Sequence, residues 1–204
     1  MTDTYKTIAA PTPEALYKEK GSKFFSYAFP VTSPDEVKQH LEELRKLRPG
    51  AVHYCYAYQI GAPEAQYRYS DDGEPANTAG APIYGQIQSH ELTNVLIVVV
   101  RFFGGIKLGV GGLISAYRTS AQMALAEARI EERTIEVFYV LRFGYKNLNK
   151  VMRLLRERQL RLVSQKMELD CELIIGVRLR DEAAAVEAFG NFYELSVEKW
   201  LSEN

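Results

Sequence analysis

Three carboxylates stand close together in the segment SDDGEPANTAG, which runs from Ser70 to Gly80. Asp71, Asp72 and Glu74 carry the oxygen ligands that Mg²⁺ and Ca²⁺ prefer, so a metal site is one interpretation. The segment does not fit an EF-hand loop, because its glycine comes too early and the closing glutamate is missing. Acidic residues in a turn are also commonly only solvated, and both interpretations stay open.

The same carboxylates could act as general acids or bases, which requires neighbours or burial that shift a carboxyl pKa. His53 is the nearest plausible partner from another segment. A single histidine on a strand is also commonly structural, so we treat His53 as a possible site partner and leave any catalytic residue unassigned.

A second candidate is the glycine-rich segment GGIKLGVGGLIS, which runs from Gly104 to Ser115. It lacks the Gly-Lys-Ser/Thr ending of a P-loop, and Ile114 stands where a Rossmann turn needs glycine or alanine. Its glycines still allow positive φ and close backbone approach at the start of a helix. The pattern therefore predicts either a generic anion site or a tight structural crossover.

Basic residues form the one notable charge run, between Arg142 and Arg161. Lys146, Lys150 and Arg153 recur at helical spacing on one face of a predicted helix. Such a face is either a solvated surface or a contact for RNA phosphates.

The elements that position these residues follow from hydrophobic periodicity. In the first half we predict the strand SKFFSYAFPV, a helix capped by Ser33 and Glu36, and the alternating strand VHYCYAYQI, which places His53 and Cys55 on one face. After the acidic loop we predict a short helix from Pro82, the strand TNVLIVVVRFF with both faces covered, and a helix that ends near Ile130.

The second half predicts the order βαββαβ, which is typical of a ferredoxin-like domain. Its elements are the strand TIEVFYVLRFG, the helix YKNLNKVMRLLRERQ, a hairpin of LRLVSQKMEL with DCELIIGVRLR, a helix after Asp181 and the strand FYELSVEKW. We therefore expect an α+β protein with two domains, residues 1–131 and 134–204.

Composition excludes several classes of protein. With 25 basic and 26 acidic side chains, the net charge of -1 excludes nucleic-acid binding driven by bulk charge. Cys55 and Cys171 form no Cys-x-x-Cys pattern, and we expect both to be reduced and to behave as small hydrophobic residues. No apolar run approaches the roughly 20 residues that cross a bilayer. The first residues do not resemble a signal peptide, so we expect a cytoplasmic protein without a membrane partner. We assign no cofactor and no metal ligand.

Together the two loops resemble a known signature. SDDGEPANTAGAP, followed after a short helix by VVVRFFGGIKLGVGGLISAY, closely resembles the Impact family, also called UPF0029, which includes YigZ-like and YvyE-like bacterial proteins. EKGSKFFSYAFPV and AVHYCYAY are similar to preceding family segments, with Lys23 at a position where arginine is usual. Asn77 stands where many members have glycine, and asparagine also tolerates the left-handed backbone conformation.

The resemblance covers most of residues 21 to 117 and carries implications for fold and function. It implies a first domain with the fold of ribosomal protein S5 domain 2, and a second, ferredoxin-like domain similar to one in elongation factor G. Eukaryotic members regulate translation through protein contacts. Their accessory domain differs, so we do not expect their protein partner to bind this chain. The bacterial branch brings no established reaction.

Our leading hypothesis is a non-enzymatic, translation-associated protein that binds RNA, the ribosome or a translation factor. It predicts a continuous positive surface that joins Arg101, Lys107 and Arg118 to Lys146, Lys150 and Arg153. The expected motif-loop residues are Asp71, Asp72, Glu74, Thr78, Arg101, Gly104, Gly105, Lys107, Gly111 and Gly112, with Lys146, Lys150 and Arg153 as possible nucleic-acid contacts.

Two alternatives stay open. One is a metal- or phosphate-dependent hydrolase that uses the acidic loop together with His53. In the other, the loops only brace the fold: Glu74 would accept backbone N–H groups, and Arg101 would pair with Asp71 or Asp72.

Overall fold

The computed structural model describes residues 3–200. These residues divide into two compact units, and the division falls between Arg133 and Thr134, with Asp3 and Thr4 grouped with the second unit. Both units combine helices with antiparallel sheets, as expected for a mixed α and β protein. The first two and last four residues of the predicted domains lie outside the described range. No helix within residues 3–200 has the length and apolar content that crossing a membrane requires.

The first unit is built on a five-stranded antiparallel sheet. The strands in chain order are β1 (Thr4–Ile8), β2 (Ala15–Glu19), β3 (Ser22–Pro30), β4 (His53–Ile60), β5 (Gln66–Ser70), β6 (Val95–Phe102) and β7 (Ile130–Thr134). The main sheet has the order β2, β3, β6, β4, β5, while β1 and β7 pair separately. The helices are α1 (Pro34–Leu47), α2 (Gly80–Ser89) and α3 (Gly109–Ala126).

The central strand β6 explains why this sheet has two cores. Alternate residues of a strand point to opposite faces, and every residue from Val95 to Arg101 is buried. Val95, Ile97 and Val99 pack in the cluster that contains α2 and α3 residues. Leu96, Val98 and Val100 pack with the buried stripe of α1 on the other face. The predicted strand with two covered faces is therefore confirmed.

Helix α1 begins as its sequence predicts. The Ser33 hydroxyl accepts the backbone N–H of Glu36 at 3.3 Å, and Pro34 occupies the first turn. The Glu36 carboxylate accepts the backbone N–H of Thr32 at 2.7 Å. The first contact satisfies a backbone N–H that a helix start would leave unpaired, and the second ties the residue before the cap to the first turn.

The second unit is a four-stranded antiparallel sheet with two helices. Its elements are β8 (Glu136–Gly144), α4 (Leu148–Glu157), β9 (Arg161–Lys166), β10 (Asp170–Arg178), α5 (Glu182–Gly190) and β11 (Ser196–Lys199). The strand order is β11, β8, β10, β9, and the sequence of element types is the predicted βαββαβ. Alternate residues of β10 from Cys171 to Val177 pack with Val151 and Leu155 of α4 and Phe189 of α5.

Several element boundaries differ from the sequence-based expectation. Strands β1, β2, β5 and β7 were not predicted; β5 and β7 are mostly exposed and polar, so they lack a clear apolar face. Helix α2 begins at Gly80 rather than at Pro82. Helix α3 ends at Ala126 rather than near Ile130, because Ile130 belongs to β7.

A close backbone approach fixes the glycine-rich loop against the start of β3. A Cβ atom on Gly104 would lie 1.9 Å from the carbonyl carbon of Gly21 and 2.2 Å from the nitrogen of Ser22. The Gly104 N–H also donates to the Ser22 hydroxyl at 3.2 Å. Only glycine fits this position without a backbone shift.

Replacing Gly104 by alanine should therefore destabilise the first unit. We expect the free energy of unfolding to fall by about 3 kcal/mol, as for a severe overpacking change. Gly85→Ala is the matched control, because nothing lies within 4 Å of the position that its new methyl group would take in α2, and alanine favours a helix by up to about 1 kcal/mol. Urea denaturation measures both variants. Equal stability of Gly104→Ala and wild type would contradict the close approach.

Candidate functional site

The acidic loop links the end of β5 to the start of α2 through two tight turns. The Glu74 N–H donates to the Asp71 carbonyl at 2.9 Å, and the Thr78 N–H donates to the Pro75 carbonyl at 3.1 Å. Asn77 has a φ of 62°, so this asparagine adopts the left-handed conformation that its sequence position suggested. The turns, rather than the sequence spacing alone, decide where each carboxylate points.

Asp71 holds the start of α2. Its carboxylate accepts backbone N–H groups from Asn77 at 2.9 Å, Ala79 at 3.0 Å and Gly80 at 2.8 Å. A carboxylate at a helix N-terminus also interacts favourably with the helix dipole. Thr78 is buried in the same turn, and its hydroxyl donates to the Pro75 carbonyl at 2.6 Å. Both side chains therefore brace the loop.

Asp72 ties the loop to β4. Its carboxylate accepts the backbone N–H of Tyr54 at 2.7 Å, and its carbonyl oxygen lies 2.7 Å from Nδ1 of His53. A carbonyl oxygen only accepts hydrogen bonds, so Nδ1 of His53 carries the proton in this contact. Nε2 of His53 is then directed toward Glu74, 3.8 Å from its Oε2.

Glu74 and Arg101 form a buried ion pair at the base of the site. Nη1 of Arg101 donates to Oε1 of Glu74 at 2.5 Å, and both side chains are more than nine-tenths buried. Tyr117 of α3, which is fully buried, donates its hydroxyl to the same Oε1 at 2.7 Å. Burial raises the pKa of Tyr117, so the phenol keeps the proton that it donates. The pair therefore joins the loop, β6 and α3.

Sheet register places Arg101 at this point. On β6, Arg101 lies opposite Phe24 of β3 and His53 of β4. Its guanidinium carbon is 5.4 Å from the centroid of the Phe24 ring, which packs edge-on against Tyr117. The guanidinium is therefore held over an aromatic ring as well as beside a carboxylate.

This arrangement corrects two details of the bracing hypothesis. Arg101 pairs with Glu74 and not with Asp71 or Asp72, and the partners of Glu74 are side chains rather than backbone N–H groups. The backbone N–H groups go to Asp71 and Asp72 instead, because the turn directs those two carboxylates toward α2 and β4. The prediction that Arg101 contributes to an exposed positive surface is wrong, because Arg101 is buried.

The motif cleft opens above the ion pair and has a volume of about 410 Å³. Of the predicted motif-loop residues, the structure brings Glu74, Arg101 and Lys107 to its walls, while Asp71 and Asp72 do not line it. His53 also faces the cleft. The complete lining is His53, Glu74, Pro75, Arg101, Phe103, Lys107, Leu108, Gly109, Val110 and Leu113.

The glycine-rich loop forms the rim of the motif cleft. Gly105 and Gly109 have φ values of 88° and 72°, where glycine is favoured. Gly111 and Gly112 lie in the first turn of α3, which has no side-chain cap and no acidic residue. The sequence analysis did not identify Phe103 and Tyr117 as site residues. Tyr117 is the last residue of the segment that resembles the family signature, and that position could have identified it.

Cys55, on the same face of β4 as His53, is not a nucleophile of this site. Burial raises the pKa of its thiol, which donates to the Asp71 carbonyl oxygen at 3.0 Å. A buried, protonated thiol is a poor nucleophile. Across residues 3–200, no group of three or more histidine, cysteine, aspartate or glutamate side chains is placed to hold a metal ion.

In the second unit, the predicted basic face is largely paired. Lys146 contacts Glu194 at 2.6 Å, and Arg153 contacts Glu157 at 2.8 Å. Lys150 lies 5.9 Å from the centroid of the Phe192 ring. These exposed pairs are weak and are screened by salt, so the face remains a candidate for phosphate contact with a reduced positive charge.

Comparison with known proteins identifies the family. Residues 20–125 match the Impact N-terminal domain, a range that contains both motif loops. This chain therefore belongs to the Impact family, as the resemblance of its loops suggested.

Individual relatives extend the similarity across most of the chain. An IMPACT family member from Haemophilus influenzae is 32% identical over 185 residues, covering 89% of this chain and 88% of the relative. The IMPACT family member YigZ from Escherichia coli is 33% identical over 184 residues, with the same coverage of 89% and 88%. A crystal structure described only as that of a hypothetical protein superposes with a TM-score of 0.74 at 28% identity, covering 100% of both chains.

Removing one partner of the buried ion pair should lower the free energy of unfolding, because the other partner stays buried and unpaired. Arg101→Met leaves Glu74 without its counter-ion, and we expect the free energy of unfolding to fall by about 3–5 kcal/mol. Glu74→Gln in the same background removes the stranded charge and should recover part of that loss. Urea denaturation of both single variants and the double variant measures the coupling.

The exposed pair of Arg133 with Glu131 supplies a control of the same residue types. Arg133→Met and Glu131→Gln should each change the stability by less than about 1 kcal/mol. If the Arg101 and Glu74 variants behave like these controls, the buried pair does not brace the loop.

Proposed function

We propose that this chain is a cytoplasmic, translation-associated regulatory protein, and not an enzyme. It binds RNA, the ribosome or a translation factor through the motif cleft. Membership of the Impact family supports a translation-associated role, because the resemblance to that family implies one. The observation that carries the proposal is that both family loops line one open cleft, whose one carboxylate among the described residues, Glu74, is already engaged by Arg101.

Exposed apolar side chains on the rim support a binding role. Phe103, Ile106 and Val110 are 49%, 56% and 60% exposed. Phe103 directly precedes the glycine-rich loop, Ile106 lies in it, and Val110 lies in the first turn of α3. Clustered exposed apolar residues commonly mark interaction surfaces. Lys107 lies between them and adds a positive charge, which suits a phosphate-rich partner.

We propose further that the two units are two domains, residues 1–131 and 134–204. The first would share the fold of ribosomal protein S5 domain 2. The second would be ferredoxin-like and similar to a domain of elongation factor G, a proposal supported by its βαββαβ order and its strand order. Both likenesses would connect the chain to the translation machinery.

The hydrolase alternative has weaker support from the geometry. It needs Asp71, Asp72, Glu74 and His53 around one cleft, but Asp71 and Asp72 bind backbone N–H groups of α2, its preceding turn and β4. Only His53 and Glu74 reach the motif cleft. We therefore propose binding rather than hydrolysis.

Association with ribosomal fractions tests the proposed function. Wild-type protein should cosediment with ribosomes at low salt and dissociate as the salt concentration rises, because phosphate contacts are screened. Lys107→Ala should weaken the association several-fold, since it removes an exposed charge from the cleft rim without touching the core. Immunoblotting of gradient fractions measures both effects.

Lys46→Ala is the matched control, because Lys46 is an exposed lysine of α1, whose buried stripe packs on the other face of the sheet. It should cosediment like wild type. Absence of wild-type protein from ribosomal and free RNA fractions at every salt concentration would contradict the proposal.

A further inference from the structure

The charge balance of the motif cleft favours an anionic ligand. Glu74 is the single carboxylate among the described residues that line it, and Arg101 neutralises that charge. Lys107 then remains as an added positive charge on the wall. The first turn of α3, an 18-residue helix, contributes Gly109 and Val110 to the same wall and has neither a side-chain cap nor an acidic residue. An uncapped helix start attracts phosphate and other anions.

A buried, unsatisfied donor belongs to the same cleft. The Arg101 side chain is only 6% exposed, and its Nε has no hydrogen-bond partner among the described residues. Nη1 donates to Glu74, and Nη2 makes a long contact of 3.4 Å with the Ser22 hydroxyl. Buried donors in proteins are nearly always paired. Arg101 therefore lines the cleft with one guanidinium donor that no described residue satisfies.

The remaining walls fit a planar organic group rather than a bare anion. Pro75, Phe103, Val110 and Leu113 provide apolar surface, and the Phe103 ring is half exposed. A volume of about 410 Å³ lies within the range of small-ligand pockets and exceeds what a single phosphate occupies. Aromatic rings at such positions commonly stack on nucleic-acid bases without strong sequence preference.

We propose that the motif cleft binds a nucleoside monophosphate unit. Its phosphate lies at the start of α3 beside Lys107 and Arg101, and its base packs against Phe103. This inference rests on the proposed function, because it names the chemical group through which the same cleft would recognise RNA. The unit could come from a free nucleotide or from the phosphorylated end of an RNA strand, which share this chemistry.

Isothermal titration calorimetry of the full chain with AMP, adenosine and inorganic phosphate tests the assignment. AMP should bind, and adenosine and phosphate should each bind at least about tenfold more weakly, because each lacks one half of the recognised group. Lys107→Ala should weaken AMP binding about tenfold through the loss of a charged contact, and Phe103→Leu by a similar factor through the loss of stacking.

Lys46→Ala should bind AMP like wild type, and thermal melting verifies that each variant is folded. Phe103 is half exposed, so its replacement should leave the fold intact. No saturable heat with AMP, or equal affinity in the wild type and both cleft variants, would overturn the proposal.

Two RNA oligonucleotides of one sequence, with a 5′-phosphate or a 5′-hydroxyl, separate the two sources. Tighter binding of the 5′-phosphorylated strand than of both AMP and the 5′-hydroxyl strand identifies an RNA end, whereas equal binding of the two strands, or weaker binding than that of AMP, identifies the free nucleotide. Ribosome association without AMP binding would reject the nucleotide proposal and leave the proposed function standing. AMP binding without any ribosome or RNA association would reject the proposed function and leave the nucleotide proposal standing.

Discussion

A buried carboxylate and a buried guanidinium constrain the rest of the first unit. Burying Glu74 or Arg101 alone would leave an uncompensated charge away from water, so their positions depend on each other. Tyr117 adds a hydrogen bond from α3, and the pair therefore connects a loop, a central strand and a helix that are distant in sequence. The motif cleft depends on this connection, because the acidic loop, β6 and α3 each contribute residues to its walls.

The polar residues of the acidic loop divide into two groups by what they contact. Asp71 and Asp72 satisfy backbone N–H groups at the edges of the loop and thereby fix its path. Glu74 points inward to Arg101, and the surface that remains available for a partner comes mainly from the glycine-rich loop. An acidic sequence motif has thus produced a cleft whose free charge is positive.

Much of the fold follows from local patterns, but the site depends on contacts between distant segments. The run from Val95 to Val100 predicted a strand with two covered faces, and Ser33 with Glu36 predicted the start of α1. Strand β5 escaped prediction because its residues are mostly exposed and give no apolar period. The partner of Arg101 could not be read from spacing, since positive φ values at Asp72 and Gly73 determine which carboxylate turns inward. The family resemblance supplied the link between the two loops that periodicity could not.

The register between β4 and β6 also limits how this sequence can change in length. His53 lies opposite Arg101, and Cys55 and Ala57 follow it on the same buried face of the sheet. Inserting or deleting one residue between His53 and Ala57 would turn the histidine to the face covered by α1, because side chains alternate along a strand. In the turn between β4 and β5, a change in length does not reverse the faces of the residues of β4. Tolerated insertions and deletions in related sequences should therefore fall in that turn and not within β4.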